Sequence, residues 1–497
     1  YSSDEGITTT FNPTTNIGSI TAGTNRVSYK NIERLNIIGT QQNDLIVGNN
    51  GNDTLSAGYG GNDTIDGGKG DDVLSGAYFY SSDDNDVISG GAGNDILTGA
   101  GGNDTLTGGI GNDIFVYNSV DATDIITDFG GVGKGSNPSA TVIASLDTLQ
   151  FKDSTLTAQN LQLTQNGNNL EITFEDANAA NTKVILQNFK LENLDNLPAT
   201  SSRPAIGNIL FDGQTTITDS FDVFDANSTR TSLFKRNAVT FLNDLSNNIT
   251  GFDNSNDVIN GQGGDDIIDG LSGNDLLRGG AGNDILIGGA GNDTLINRAG
   301  NDTLDGGTGD DSLNASGSKG DNLLSGSDGN DSLDISGLYR YNRSSSDSRS
   351  LGNNTLDGGA GNDSLSASGS KGDNLLSGGD GNDSLDLSGG SGSDFGFFDS
   401  RSLGNNTLNG GAGNDTLSAR GSTGDNTLNG GVGDDSLDVR NSEGDNLLSG
   451  GDGNDSFAVQ PSSTAPSSLV NSNSRVGVKV MICCPPITPM LLENPLR

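Results

Sequence analysis

The sequence predicts an all-β protein, two repeat arrays joined by a β-rich cap and linker, and three observations predict it. An aspartate recurs about every nine residues through two long stretches. Glycine makes up 77 of 497 residues, roughly twice its usual share. Of 65 acidic residues only Glu5, Glu33, Glu171, Glu175, Glu192, Glu443 and Glu493 are glutamate. Aspartate favours turns and chelation where glutamate favours helix.

Residues 1–38 come before the regular repeat and are expected to form an irregular lead-in coil, with Ile32, Leu35 and Ile37 as its apolar positions. The first array, 39–116, carries Asp44, Asp53, Asp63, Asp72, Asp86, Asp95, Asp104 and Asp113, in units such as Gly90-Gly91-Ala92-Gly93-Asn94-Asp95-Ile96-Leu97-Thr98. The second, 251–459, opens with Asp257, Asp266, Asp275, Asp284, Asp293, Asp302 and Asp311 at an unbroken spacing of nine. The unit is GGxGxDxUx, with U apolar. Its glycine-rich half can adopt positive φ and bring carbonyls close to a ligand, and its Asp adds a short carboxylate. Its second half, as in Asp284-Ile285-Leu286-Ile287, is a very short strand with one inward side chain.

Between the arrays, 117–200 reads as a β cap and 201–250 as a β-rich linker. Leu161 to Gln165 and Leu170 to Phe174 flank Asn166-Gly167 as a hairpin, with Val184 to Leu186 as a further strand. Gly130-Gly131-Val132-Gly133-Lys134-Gly135-Ser136 lacks phosphate-loop spacing and follows no βα unit, so it reads as a loop. The second array ends at Phe457 without comparable closing strands, leaving 460–497 as an irregular, disordered or artefactual tail and the last coil with an open edge.

Composition excludes several functions. There is no His, so imidazole bases, Ser/His/Asp systems and HExxH zinc sites are absent, and no GxSxG motif occurs. The chain carries no catalytic constellation. A net charge of −40 repels phosphate backbones and anionic lipid, which makes cations the natural partner. Only 31% of residues are hydrophobic, so the core must be thin or stapled otherwise. Cys483 and Cys484 are adjacent and make no disulfide framework. No apolar run is long enough to span a bilayer, and no charged-then-apolar leader opens the chain. It starts at Tyr1, as expected of a processed chain or a piece of a longer protein.

Over 39–116 and 251–459 the nonapeptides resemble the RTX, or haemolysin-type, calcium-binding repeat family, of which this unit is the known signature. The resemblance implies a right-handed parallel β-roll whose nonapeptides alternate between two sheets, with several calcium ions between stacked turns. Its metal residues would be the sixth-position aspartates named above, together with Asp331, Asp363, Asp383, Asp415, Asp435 and Asp455. Neighbouring glycine carbonyls would complete each shell. Like turns in a roll stack at roughly 4.8 Å, where two carboxylates repel by about 3 kcal/mol at an effective dielectric of about 20. Such a column requires compensation. Hard oxygen donors select calcium over zinc or copper, and many flexible carbonyls favour it over magnesium.

After Asp311 the spacing alternates between nine and eleven, and Asn322, Asn354, Asn374, Asn406, Asn426 and Asn446 hold the sixth position in alternate turns. This predicts a one-sided calcium ladder there, the alternative being that Asp321, Asp373, Asp425 and Asp445 bind from the adjacent position. Insertions at 335–350 and 387–402, 52 residues apart, should project from one edge and carry Tyr339, Tyr341, Arg343, Phe395, Phe397 and Phe398. Loop decoration is the simpler reading of these and of Tyr78-Phe79-Tyr80, and a cell-surface or matrix partner the other.

The expected function is calcium binding by secreted, bacterial, monomeric tandem repeats that fold on extracellular calcium in a structural, surface or interaction role. The resemblance adds type I secretion. The alternative is the non-catalytic C-terminal secretion and folding module of a larger hydrolase, protease or toxin.

Overall fold

The computed structural model describes residues 5–78, 84–118, 122–135, 137–175, 182–337, 349–388 and 401–459, and the backbone of 469–470 and 479–482. The insertion aromatics, most of the Tyr78-Phe79-Tyr80 loop, Ser136 and the cysteine pair lie outside these residues. Among the described residues the only helical turns are Ala140–Ile143, capped by Ser139, and Leu191–Asn193. The chain divides into two units, 1–228 with 238–243, and 229–237 with 244–497.

In the first unit the nonapeptides build two parallel sheets whose strands alternate along the chain. One holds Leu45–Val47, Thr64–Lys69, Val87–Ala92 and Thr105–Ile110; the other holds Asn36–Ile38, Thr54–Ser56, Val73–Ser75, Ile96–Thr98 and Ile114–Tyr117. Register is exact in kind: Leu106 pairs with Ile88 and Leu74 with Leu55. Each strand buries its middle residue, and Ile46, Ile65, Ile88, Leu55, Leu74 and Leu97 form the thin core between the sheets. Alternation of one inward and two outward side chains is what a three-residue strand allows.

The flanks finish this unit. Thr123–Ile126 and Thr148–Phe151 each extend one sheet, against Thr105–Ile110 and Ile114–Tyr117. Lys183–Leu186 follows the first, then the hairpin Leu161–Asn166 with Asn169–Phe174. Phe151 packs edge-on against Phe174 at 4.8 Å and stacks on Phe211 at 6.2 Å, so aromatics fill the cap where the repeat gives out. At the other end the structure departs from an irregular coil. Ile7–Asn12, Ile17–Ala22 and Asn25–Lys30 form an antiparallel meander, and Thr8 pairs with Leu45. Leu35 and Ile37 are buried as expected, whereas Ile32 is exposed.

The second unit repeats the plan. Ile285–Ala290, Thr303–Thr308, Leu323–Asp328, Thr355–Ala360, Leu375–Asp380, Thr407–Ala412, Thr427–Val432 and Leu447–Asp452 run down one sheet, pairing in parallel. Three-residue strands such as Ser364–Ser366 and Ser384–Asp386 make the other. Leu324, Leu356, Leu376 and Leu408 face Leu333, Leu365, Leu385 and Leu417, all with no exposed surface. Both insertions leave a strand of the short-stranded sheet and return into the other, hence from one edge. The tail adds pairing that its composition hid: Leu469–Val470 continues one sheet from Leu447–Asp452, and Lys479–Ile482 lies parallel to Ser456–Val459. The edge of the last coil is therefore paired at Ser456–Val459 and in part at Leu447–Asp452.

Candidate metal sites

Each turn carries its sixth-position aspartate into the interior, and stacking sets these residues in columns. In the first unit they are Asp44, Asp63, Asp86 and Asp104 along one edge and Asp53, Asp72, Asp95 and Asp113 along the other. The backbone N–H of each donates to Oδ1 of the aspartate one coil later, as from Asp63 to Asp86 and from Asp95 to Asp113, both at 2.8 Å. In the second unit one column runs unbroken through Asp257, Asp275, Asp293, Asp311, Asp331, Asp363, Asp383, Asp415, Asp435 and Asp455, with such bonds of 2.7 to 3.1 Å. Its opposite edge begins with Asp266, Asp284 and Asp302. All these side chains are buried.

Oδ1 is thus spoken for, and Oδ2 is the informative atom. It is buried without a protein hydrogen-bond partner at Asp63, Asp72, Asp95, Asp104, Asp113, Asp266, Asp275, Asp293, Asp302, Asp311, Asp331, Asp363, Asp383, Asp415, Asp435 and Asp455. An unpaired buried carboxylate oxygen is costly. The first glycine of the turn leaves room beside it. A Cβ on Gly90 would run into Asp95 Oδ2 and the Gly108 carbonyl of the next coil, and one on Gly378 into Asp383 Oδ2 and the Gly410 carbonyl. The space is bounded by a carboxylate oxygen and a carbonyl oxygen, the donor set of a hard cation.

Burial, and then the neighbouring carboxylates, push several of these acids up. Asp72 rises to about 7, Asp86 to about 8 and Asp383 to about 6, each from an ordinary 3.8. Among the described residues no three acidic side chains gather at one point. A cation at these turns must draw on backbone carbonyls as well.

Four sequence-named aspartates have both oxygens engaged. Asp44 accepts from Ile7 N and Thr40 N at 2.5 and 2.6 Å, and Asp53 from Leu35 N and Asn49 N, both at 2.6 Å. Asp257 accepts from Ser255 Oγ and Phe252 N at 2.7 and 2.8 Å. Asp284 Oδ2 takes Nδ2 of Asn297 at 2.7 Å, because Asn297 stands where the repeat has its first glycine.

The RTX calcium-binding nonapeptide repeat family matches residues 36–60, 57–77 and 80–115, and then 253–277, 260–295, 269–304, 278–313, 314–334, 350–369, 366–395, 402–421, 418–440 and 442–458. These segments cover more than half of the chain. The chain belongs to the RTX family. RTX repeats bind calcium, so this is a calcium-binding repeat protein, and its solenoid is a non-catalytic kind of domain. A comparison with curated proteins returns no match.

The RTX columns also contain residues that the nonapeptide pattern misses. Asp104 N donates to Asp124 Oδ1 and Asp113 N to Asp147 Oδ1, both at 2.9 Å, so both columns run one step into the cap. Asp147 Oδ2 is closed by Gly130 N at 2.6 Å. The signal was an Asp directly before a strand, as in Asp147-Thr148-Leu149, without the glycines. The fifth position forms a second, outer ladder, as from Asn62 N to Asn43 Oδ1. Asp321, Asp373, Asp425 and Asp445 belong to this ladder and are exposed; Asp321 Oδ1 takes Asn353 N, and Asp425 Oδ1 takes Asp445 N, both at 2.7 Å.

Proposed function

We propose that this chain is an extracellular RTX scaffold of bacterial type whose two rolls fold when calcium reaches the aspartate columns. The observation that carries the reading is the run of buried Oδ2 atoms with no protein partner, most of them beside a glycine carbonyl of the next coil. The sixteen aspartates with such an Oδ2 are the proposed ligands, with carbonyls such as those of Gly108, Gly410 and Gly450 beside several of them. Bound calcium supplies positive charge and a demand for six to eight oxygens. The turns hold those oxygens in place, and the aspartates' own N–H groups fix each carboxylate's orientation.

Without that charge, stacked carboxylates repel one another across a core one side chain thick. Extracellular modules bind calcium at about 10⁻⁴ to 10⁻³ M. The aspartate edges therefore stay open in a low-calcium cytosol and close outside, which suits the type I export associated with RTX repeats. Equilibrium dialysis checks the reading. Many calcium ions should bind per chain, and fewer after Asp383→Asn with Asp415→Asn; binding of none, or equal binding of magnesium, overturns it.

A further inference from the structure

The edge that begins with Asp266, Asp284 and Asp302 changes chemistry along its length. From Asp302 N the ladder passes to Asn322 Oδ1 at 3.1 Å and on through Asn354, Asn374, Asn406, Asn426 and Asn446. All six asparagines are buried. On the opposite edge Oδ2 is left without a partner, but here the corresponding Nδ2 is fully used. The two N–H groups of Asn374 Nδ2 are shared among three acceptors, Ser370 Oγ at 2.6 Å and the Gly372 carbonyl and Asn406 Oδ1, both at 2.9 Å. Asn426 Nδ2 has the same three acceptors, Ser422 Oγ, the Gly424 carbonyl and Asn446 Oδ1, at 2.8, 2.8 and 2.9 Å. The sequence around each reads Ser-x-Gly-x-Asn, as in Ser402-Leu403-Gly404-Asn405-Asn406 and Ser442-Glu443-Gly444-Asp445-Asn446. The serine column is itself buried.

From this we infer that the asparagine edge of residues 318–446 is a metal-free spine, a neutral amide ladder that holds the second roll in register where the opposite edge needs calcium. The inference rests on the calcium reading proposed above. Three physical features carry it. Stacked amides have no net charge, so no repulsion has to be offset. Each amide is donor and acceptor at once, so the column satisfies itself along the stack, as asparagine ladders do. And Nδ2 presents N–H groups to the turn carbonyls, which puts a donor that repels a cation where the aspartate edge has an unpartnered oxygen. Asn297 does the same locally to Asp284.

The test is hydrogen exchange by mass spectrometry on the full chain, with calcium and in EDTA. In EDTA, peptides around Asn354, Asn374 and Asn426 should stay protected at least tenfold longer than those around Asp363, Asp383 and Asp415. Calcium should add protection chiefly at the aspartate edge. If both edges lose protection together in EDTA and regain it together with calcium, the spine is wrong and the calcium reading stands. If neither edge responds to calcium, the calcium reading itself fails. As a second arm, Asn374→Asp with Asn406→Asp should make protection at that edge depend on calcium; unchanged protection in EDTA overturns the spine.

Discussion

Asp415 carries two opposed energies in one side chain. Its Oδ1 is bound by Asp383 N at 2.8 Å, and its Oδ2 is buried with no partner. Asp415→Asn removes a charge from a repelling column and also removes an oxygen proposed above as a calcium ligand. The expected result is a change of sign: the variant should be more stable than the parent in EDTA, by on the order of 1 kcal/mol, and less stable in calcium. Melting in the two conditions checks it, and a shift of the same sign in both contradicts it. Gly410→Ala acts on the same site by volume, since its Cβ would meet Asp415 Oδ2 and the Gly430 carbonyl. Overpacking costs about 1–3 kcal/mol, and calcium binding should fall with it. At this scale the sequence was legible wherever one residue type recurred at one place. The engaged oxygens of Asp44, Asp53 and Asp257 were not legible, because their donors Thr40, Asn49, Leu35 and Phe252 sit in turns with no fixed pattern.

A coil is two short strands and two turns, and its leucines and its carboxylates respond to different variables. Leu376→Ala removes a side chain with no exposed surface from a core only one residue deep, and should cost about 2–5 kcal/mol in calcium and EDTA alike. The carboxylates respond to pH. Burial first and neighbouring acids next hold Asp72 near 7 and Asp302 near 7, against 3.8 when exposed. The folded metal-free chain then retains protons that the unfolded chain releases. That stabilisation is complete below about 3.8 and is lost as pH climbs through 6 to 8. In EDTA the melting temperature should therefore fall from pH 5 to pH 8, while calcium affinity rises over the same range as protons leave; a metal-free melting temperature that rises with pH contradicts this. The strands were readable from the DxUx half of the unit. The amide edge was readable only as an exception, Asn in place of Asp, and its Ser-x-Gly-x-Asn partner pattern becomes meaningful once the serines are seen stacked beside the asparagines.

Over the whole chain, periodicity marked out both arrays, and the structure places a two-sheet parallel solenoid over each, consistent with the RTX roll. Less of the ends was readable. Residues 7–30 carry alternating strands without the repeat, and tail pairing at Leu469–Val470 and Lys479–Ile482 depends on the edges of the last coil. The net charge of −40 is held mostly as aspartate in or beside these columns. On the calcium reading proposed above, cation binding and folding are one process. Far-UV circular dichroism of the full chain through a calcium titration, with magnesium in parallel and EDTA to reverse it, tests that most directly. Calcium should give a large, cooperative and reversible gain of β signal that magnesium does not reproduce, above a smaller β content retained in EDTA by the asparagine edge and the aromatic cap. Full β signal already present in EDTA and unchanged by calcium would contradict it.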